Sequence, residues 1–110
     1  MNGSVANKQG LSTGVSGYIQ NEVMNLSPTE VILKIYDFVI LHLKKGDTQR
    51  AMRGITELMV SLDFEYEEFS VRMYRLYKYC RDQIVHENTK EAIVIMEGLR
   101  ESWVQAFKLN

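Results

Sequence analysis

The sequence predicts an all-α protein: an antiparallel, up-down four-helix bundle behind a flexible N-terminal segment. Three observations predict it. Helix-start signatures stand at Ser27, Asp47 and Asn88. Between them, apolar residues recur at spacings of three and four. The only proline, Pro28, sits where a helix begins, so no later helix is interrupted by one. No useful length of chain alternates apolar and polar residues as a half-buried strand does. Links of a few residues favour antiparallel neighbours, and with them the up-down order.

Residues 1–21 differ in composition from the rest of the chain. They hold four of the seven glycines, one basic residue (Lys8) and no acid. Val5, Leu11, Val15 and Ile19 are too scattered to bury much surface, so a flexible segment is expected, one that can also dock on the body. The bundle is expected over residues 22–110. Ser27-Pro28-Thr29-Glu30 reads as a capping box with proline at the first helical position. The helix then runs from Val31 to Leu43; Lys44 and Lys45 suit its negative end, and Gly46 suits a left-handed cap. Asp47 is placed to cap a second helix with Ala51, Ile55, Leu58, Met59 and Leu62 at helical spacing. After a turn near Asp63 to Glu67, a third helix carries Phe69, Met73, Leu76, Cys80 and Ile84 on one face. Asn88 with Glu91 three residues later opens a fourth, striped by Ala92, Met96, Leu99, Trp103 and Phe107. Gly98, inside that helix, costs about 1 kcal/mol against alanine and either permits a close helix approach or leaves room for a partner.

Composition narrows the function. The chain of 110 residues is one small domain, 45% apolar and 25% charged, with thirteen Lys+Arg against fourteen Asp+Glu. That balance argues against an electrostatic nucleic-acid binder. A lone cysteine, Cys80, forms neither an internal disulfide nor a thiolate cage, and its place on a core face suits a buried hydrophobe. The two histidines, His42 and His86, lie in no Glu-x-x-His or His-Glu-x-x-His pattern, and there is no glycine-rich phosphate loop or Gly-x-Ser-x-Gly elbow. No catalytic residue, metal or cofactor is expected. With no stretch of eighteen apolar residues and no secretory leader, the expectation is a cytoplasmic protein without stable membrane insertion.

What remains is surplus apolar surface. Between Val31 and Leu43 only Lys34, Asp37 and His42 interrupt the run. That is more than the three in seven a bundle helix needs, so the helix is either central and nearly surrounded or covered by a partner. Behind its core stripe the third helix carries Tyr66, Tyr74, Tyr77 and Tyr79, a concentration that suits a recognition surface. Residue chemistry thus reads as a helical interaction module.

Tyr18-x-x-Asn21, Ser27-Pro28, Tyr36-Asp37, Ser61-Leu62-Asp63, Leu76-Tyr77 and Trp103, in that order, resemble the flagellin-specific export chaperones of the FliS type from about Tyr18 onward. The resemblance implies a cytoplasmic helical bundle that holds the disordered C-terminal segment of flagellin, prevents premature polymerisation and presents the subunit to the flagellar export gate. It also implies that the N-terminal segment covers part of the groove when flagellin is absent, with Tyr18 and Asn21 as the local equivalents. Tyr36, Asp37 and Leu62 are carried over from its motifs as client-binding residues, beside Tyr74 and Tyr77 from the tyrosine face. Phe38 stands where the family usually has glycine, the link at Gly46-Asp47 is shorter by roughly two turns, and the glycine often found after Ser-Leu-Asp is missing. The competing expectations are a homodimer whose surplus faces pair with each other, a different amphipathic client, and a small-ligand pocket inside the bundle.

Overall fold

The computed structural model describes residues 27–108, which form four α-helices: α1 (Pro28–Lys45), α2 (Thr48–Val60), α3 (Glu67–Val85) and α4 (Thr89–Phe107). The expected segment 1–21, with Tyr18 and Asn21, lies outside these residues. Local chemistry sets the first boundaries as the sequence suggests. Glu30 N–H donates to Ser27 Oγ (3.2 Å) and Ser27 N–H to Glu30 Oε1 (3.0 Å), a complete capping box. Gly46 ends α1 at φ 82°, a conformation that costs a residue with a Cβ. Asp47 Oδ1 then accepts from Arg50 N–H (3.1 Å) to start α2.

The other two starts rest on different contacts. No side chain caps α3. Instead Asp63 Oδ1 accepts from Glu65 N–H (3.0 Å), and Ser70 Oγ donates to the Asp63 carbonyl (2.6 Å), pinning the α2–α3 turn to the first turns of α3. Glu67 and Glu68 favour that positive end. Asn88 occupies the N-cap of α4, but its amide donates to Gln83 Oε1 (2.8 Å) rather than serving the new helix. The expected Asn88 cap is therefore right in place and wrong in mechanism. Glu87 beside it carries the positive φ (62°) that the α3–α4 turn demands.

The helices form a ring in which α1 packs on α2 and α4, and α3 on the same two, while diagonal pairs make no close backbone approach. α1 has the two neighbours that every helix of the ring has, yet most of its apolar residues are covered within the chain. Leu33, Ile35, Tyr36, Phe38, Val39 and Leu43 are buried, Val31, Ile32 and Ile40 partly so, and only Leu41 among its apolar residues is exposed. The Phe38 and His42 rings meet at a tilt of 57° (4.4 Å between centroids) near the start of α2. His42 Nδ1 is buried without a hydrogen bond, 3.8 Å from Asp47 Oδ2. Burial depresses that imidazole's pKa, partly opposed by Asp47.

The close approach in this bundle is at Gly54, not Gly98. A Cβ on Gly54 would fall well inside contact with Val39 Cγ2 and 3.4 Å from Phe38 Cδ1, whereas Gly98 faces open space. The core stripe of α3 is also rotated from the expected one. Ser70, Met73, Tyr77, Cys80 and Ile84 are buried, while Phe69 is 43% exposed and Leu76 only partly covered. Ser70 tolerates burial because its hydroxyl has the Asp63 carbonyl as partner. Among the described residues, no helix is long and apolar enough to cross a membrane.

Candidate binding groove

The rotated register of α3 leaves Phe69 outside the core, beside α4. Phe69 meets the Trp103 ring edge-on (6.4 Å between centroids, 82°), and Trp103 stacks on Phe107 (5.3 Å, 19°). With Met73, Leu99, Ser102 and Ala106 these rings line an apolar groove of about 350 Å³ between α3 and α4 that no charged side chain enters. Phe69 and Trp103 also wall a second pocket, of about 190 Å³, at the α2–α3 turn; Ile32, Leu62, Tyr66 and Tyr77 complete its larger surfaces, with Ser61, Asp63 and Ser70 at its polar side. The two cavities share Phe69 and Trp103 and so lie side by side along α3 and α4, a trough in two parts with those rings as the wall common to both.

Trp103 is fixed by a chain of hydrogen bonds reaching through the bundle. Its Nε1–H donates to Tyr36 Oη (3.0 Å), and Tyr36 Oη lies 2.7 Å from Tyr77 Oη, joining α4, α1 and α3. The Tyr36 and Tyr77 rings are tilted by 53° at 6.4 Å. Burial pushes the Tyr36 phenol up to about 12 against the opposing effect of its two hydrogen bonds. Tyr77 is raised too, by burial first and then by neighbouring Tyr36. Both tyrosines are accordingly neutral at physiological pH. Cys80, on the core face as expected, has its thiol pushed up to about 12, chiefly by burial and then by Glu91.

The expected site residues fall in several places. Leu62 lines the pocket at the α2–α3 turn. Tyr77, expected on the outer face of α3, is 2% exposed and reaches that pocket only from the inside; a large ring whose hydroxyl has a buried partner is stable there. Tyr36 is fully buried behind it. Asp37 is on the surface seam between α1 and α4, paired with Arg100 (2.5 Å), near a second seam pair, Lys44–Glu97 (2.9 Å). Tyr74 is exposed but lines neither cavity. Sequence reasoning placed Phe69, Leu99, Trp103 and Phe107 in the core, yet they are the groove's walls. Phe69 and Phe107 stand near the end of an apolar stripe, which is the one sequence signal that could have marked them.

Such an arrangement suits binding by burial: an uncharged, aromatic-walled groove between two helices accepts the apolar face of an amphipathic segment. Among the described residues, no three His, Cys, Asp or Glu side chains group so as to hold a metal ion. In comparison with known proteins, a family model described as flagellar protein FliS matches residues 12–110. No curated protein and no solved structure matches significantly.

Proposed function

The chain belongs to the FliS family of flagellar export chaperones, and from that membership we propose that its client is the C-terminal segment of flagellin, bound in the cytoplasm along the α3–α4 groove. The observation that carries this reading is the α3–α4 groove walled by Phe69, Leu99, Trp103 and Phe107, which no charged side chain lines. Left free, the segment drives polymerisation; seated as an amphipathic helix on those rings, its apolar face is unavailable to other subunits. The work is sequestration and release at the flagellar export gate, without bond chemistry.

Residues 1–21 serve as a displaceable cover in this proposal, with Tyr18 and Asn21 nearest the body. They lead into the start of α1, whose Ile32 forms part of the trough's wall. Leu62 and Tyr77 contribute at the trough's end, with Tyr36 supporting from behind. Asp37 and Tyr74, outside the trough, belong to surfaces that a longer client segment reaches.

Calorimetric titration of the full chain with the C-terminal segment of flagellin from the same organism tests the proposal. One-to-one binding with a large negative heat-capacity change is expected, from coupled folding on an apolar surface. Absence of binding by a folded chain would refute it. A tight dimer at low concentration, insensitive to the segment, would instead establish the groove as a face for self-pairing.

A further inference from the structure

Of the three rings that wall the groove, one has a directional tether. Phe69 and Phe107 are 43% and 53% exposed and carry no polar side-chain atom, so packing alone orients them. The indole N–H of Trp103 can only donate, and it donates into the core, to Tyr36 Oη at 3.0 Å. The acceptor is itself held in place: Tyr36 is fully buried, and its oxygen lies 2.7 Å from that of Tyr77, which is 2% exposed. One hydrogen bond therefore fixes the edge of an indole that is only half-buried and would otherwise turn among its rotamers. Phe69 meets that ring at 82° and Phe107 stacks on it at 19°, so the aromatic wall takes its position from a group inside the bundle.

We propose that Tyr36 is a positioning residue for client binding: its hydroxyl holds Trp103 as a fixed partition between the two cavities, so that a bound helix seats one apolar side chain in each. An indole set in advance spares the client the entropy of immobilising it, and that saving is what the tether contributes to affinity. A fixed partition also selects. Groups touching opposite sides of one aromatic wall are about 7–8 Å apart, twice a carbon–carbon contact of about 3.5–4.0 Å. On a helix, Cβ atoms three or four positions apart are separated by about 5–6 Å, and their side chains can splay to straddle the ring. Residues seven apart rise by about 10 Å, too far for one ring to divide. The client's pair is therefore at i and i+3 or i+4. This rests on the reading of flagellin's C-terminal segment as client.

Tyr36→Phe keeps the ring and removes the acceptor. Ile84→Val trims a buried side chain near the other end of α3 and controls for a simple loss of stability. The chain's single tryptophan gives one indole N–H resonance in a nitrogen-15 correlation spectrum. In Tyr36→Phe that resonance is expected to shift and its proton to exchange faster with solvent, while Ile84→Val leaves both as in the parent. Titrated as full-length chains with the flagellin segment, Tyr36→Phe should bind about three- to tenfold more weakly, the equivalent of immobilising one side chain on binding. Ile84→Val should stay within about twofold of the parent by the same scale. An unchanged indole proton, an unchanged affinity or an equal loss in Ile84→Val would overturn the positioning role while leaving the client assignment intact; no binding by the parent chain would overturn both. Should Tyr36→Phe fail to fold, an alanine scan of the segment against the parent chain decides. Losses concentrated at two apolar positions three or four apart are expected, and a single dominant position or an even row of losses overturns the proposal.

Discussion

Replacing Gly54 by alanine sets two effects of opposite sign against each other. In an exposed helix interior the substitution stabilises by about 1 kcal/mol, because glycine leaves more backbone freedom to be lost. Here the added methyl group lands on Val39 Cγ2, with Phe38 Cδ1 at 3.4 Å and Val39 Cβ at 3.7 Å. Val39 is fully buried, and a β-branched side chain in a helix has essentially one rotamer. It cannot turn aside, so α1 and α2 must part. Overpacking of this kind costs about 1–3 kcal/mol and more where the neighbour is rigid, so the net expectation is a loss of about 2 kcal/mol. For a domain of this size that lowers the thermal midpoint by about 8–16 °C. Thermal unfolding followed by circular dichroism is the assay, with Val39→Ala as partner in a double-mutant cycle. Removing Cγ2 should recover much of the loss, with a coupling of about 1 kcal/mol or more. A midpoint at or above the parent's for Gly54→Ala alone would refute the close approach of α1 and α2.

Gly98→Ala should do the reverse, raising stability by about 1 kcal/mol in the same assay, because its methyl group meets open space. Glu87→Gly should also stabilise, by on the order of 1 kcal/mol, since a left-handed residue at φ 62° loses its Cβ penalty; unchanged urea midpoints would contradict this. The His42 pKa is lowered in the folded state, so the unfolded chain binds the extra proton first. Stability is then full above the ordinary histidine value of about 6.5 and declines as the pH falls below it, levelling once the folded imidazole also protonates. Denaturant titrations between pH 7.5 and 5 should show that decline in the parent and a shallower one in His42→Leu.

The parts of this molecule that were legible in its sequence are those decided within one turn of chain. The Ser27–Glu30 box, the Gly46 cap and the Asp47 cap each depend on residues at most four apart, and each forms as their chemistry dictates. The helices and their ring order follow from stripe spacing and short links. Illegible was whatever depends on a partner far along the chain. Ser70 reads as a surface residue until the Asp63 carbonyl is seen above it; with Ser70 on the core face, Phe69 stands in the groove. Tyr77 reads as one more exposed tyrosine until Tyr36, 41 positions away, supplies a buried partner. Glycines carry no sign of their neighbours: Gly98 stood out as a glycine inside a helix, while Gly54 meets Val39 only across two helices.

Trp103 is the protein's sole tryptophan, half-buried where the two cavities meet and stacked against Phe107. The molecule therefore carries its own optical reporter at the place where a client would sit. Ultraviolet emission from one indole, excited apart from the six tyrosines, follows the groove's occupancy without a dye or a tag. Arrival of a segment that dries the ring shifts that emission to the blue, and departure reverses it. Loading and unloading can thus be timed on the unmodified chain by stopped-flow mixing, with the groove itself as the detector.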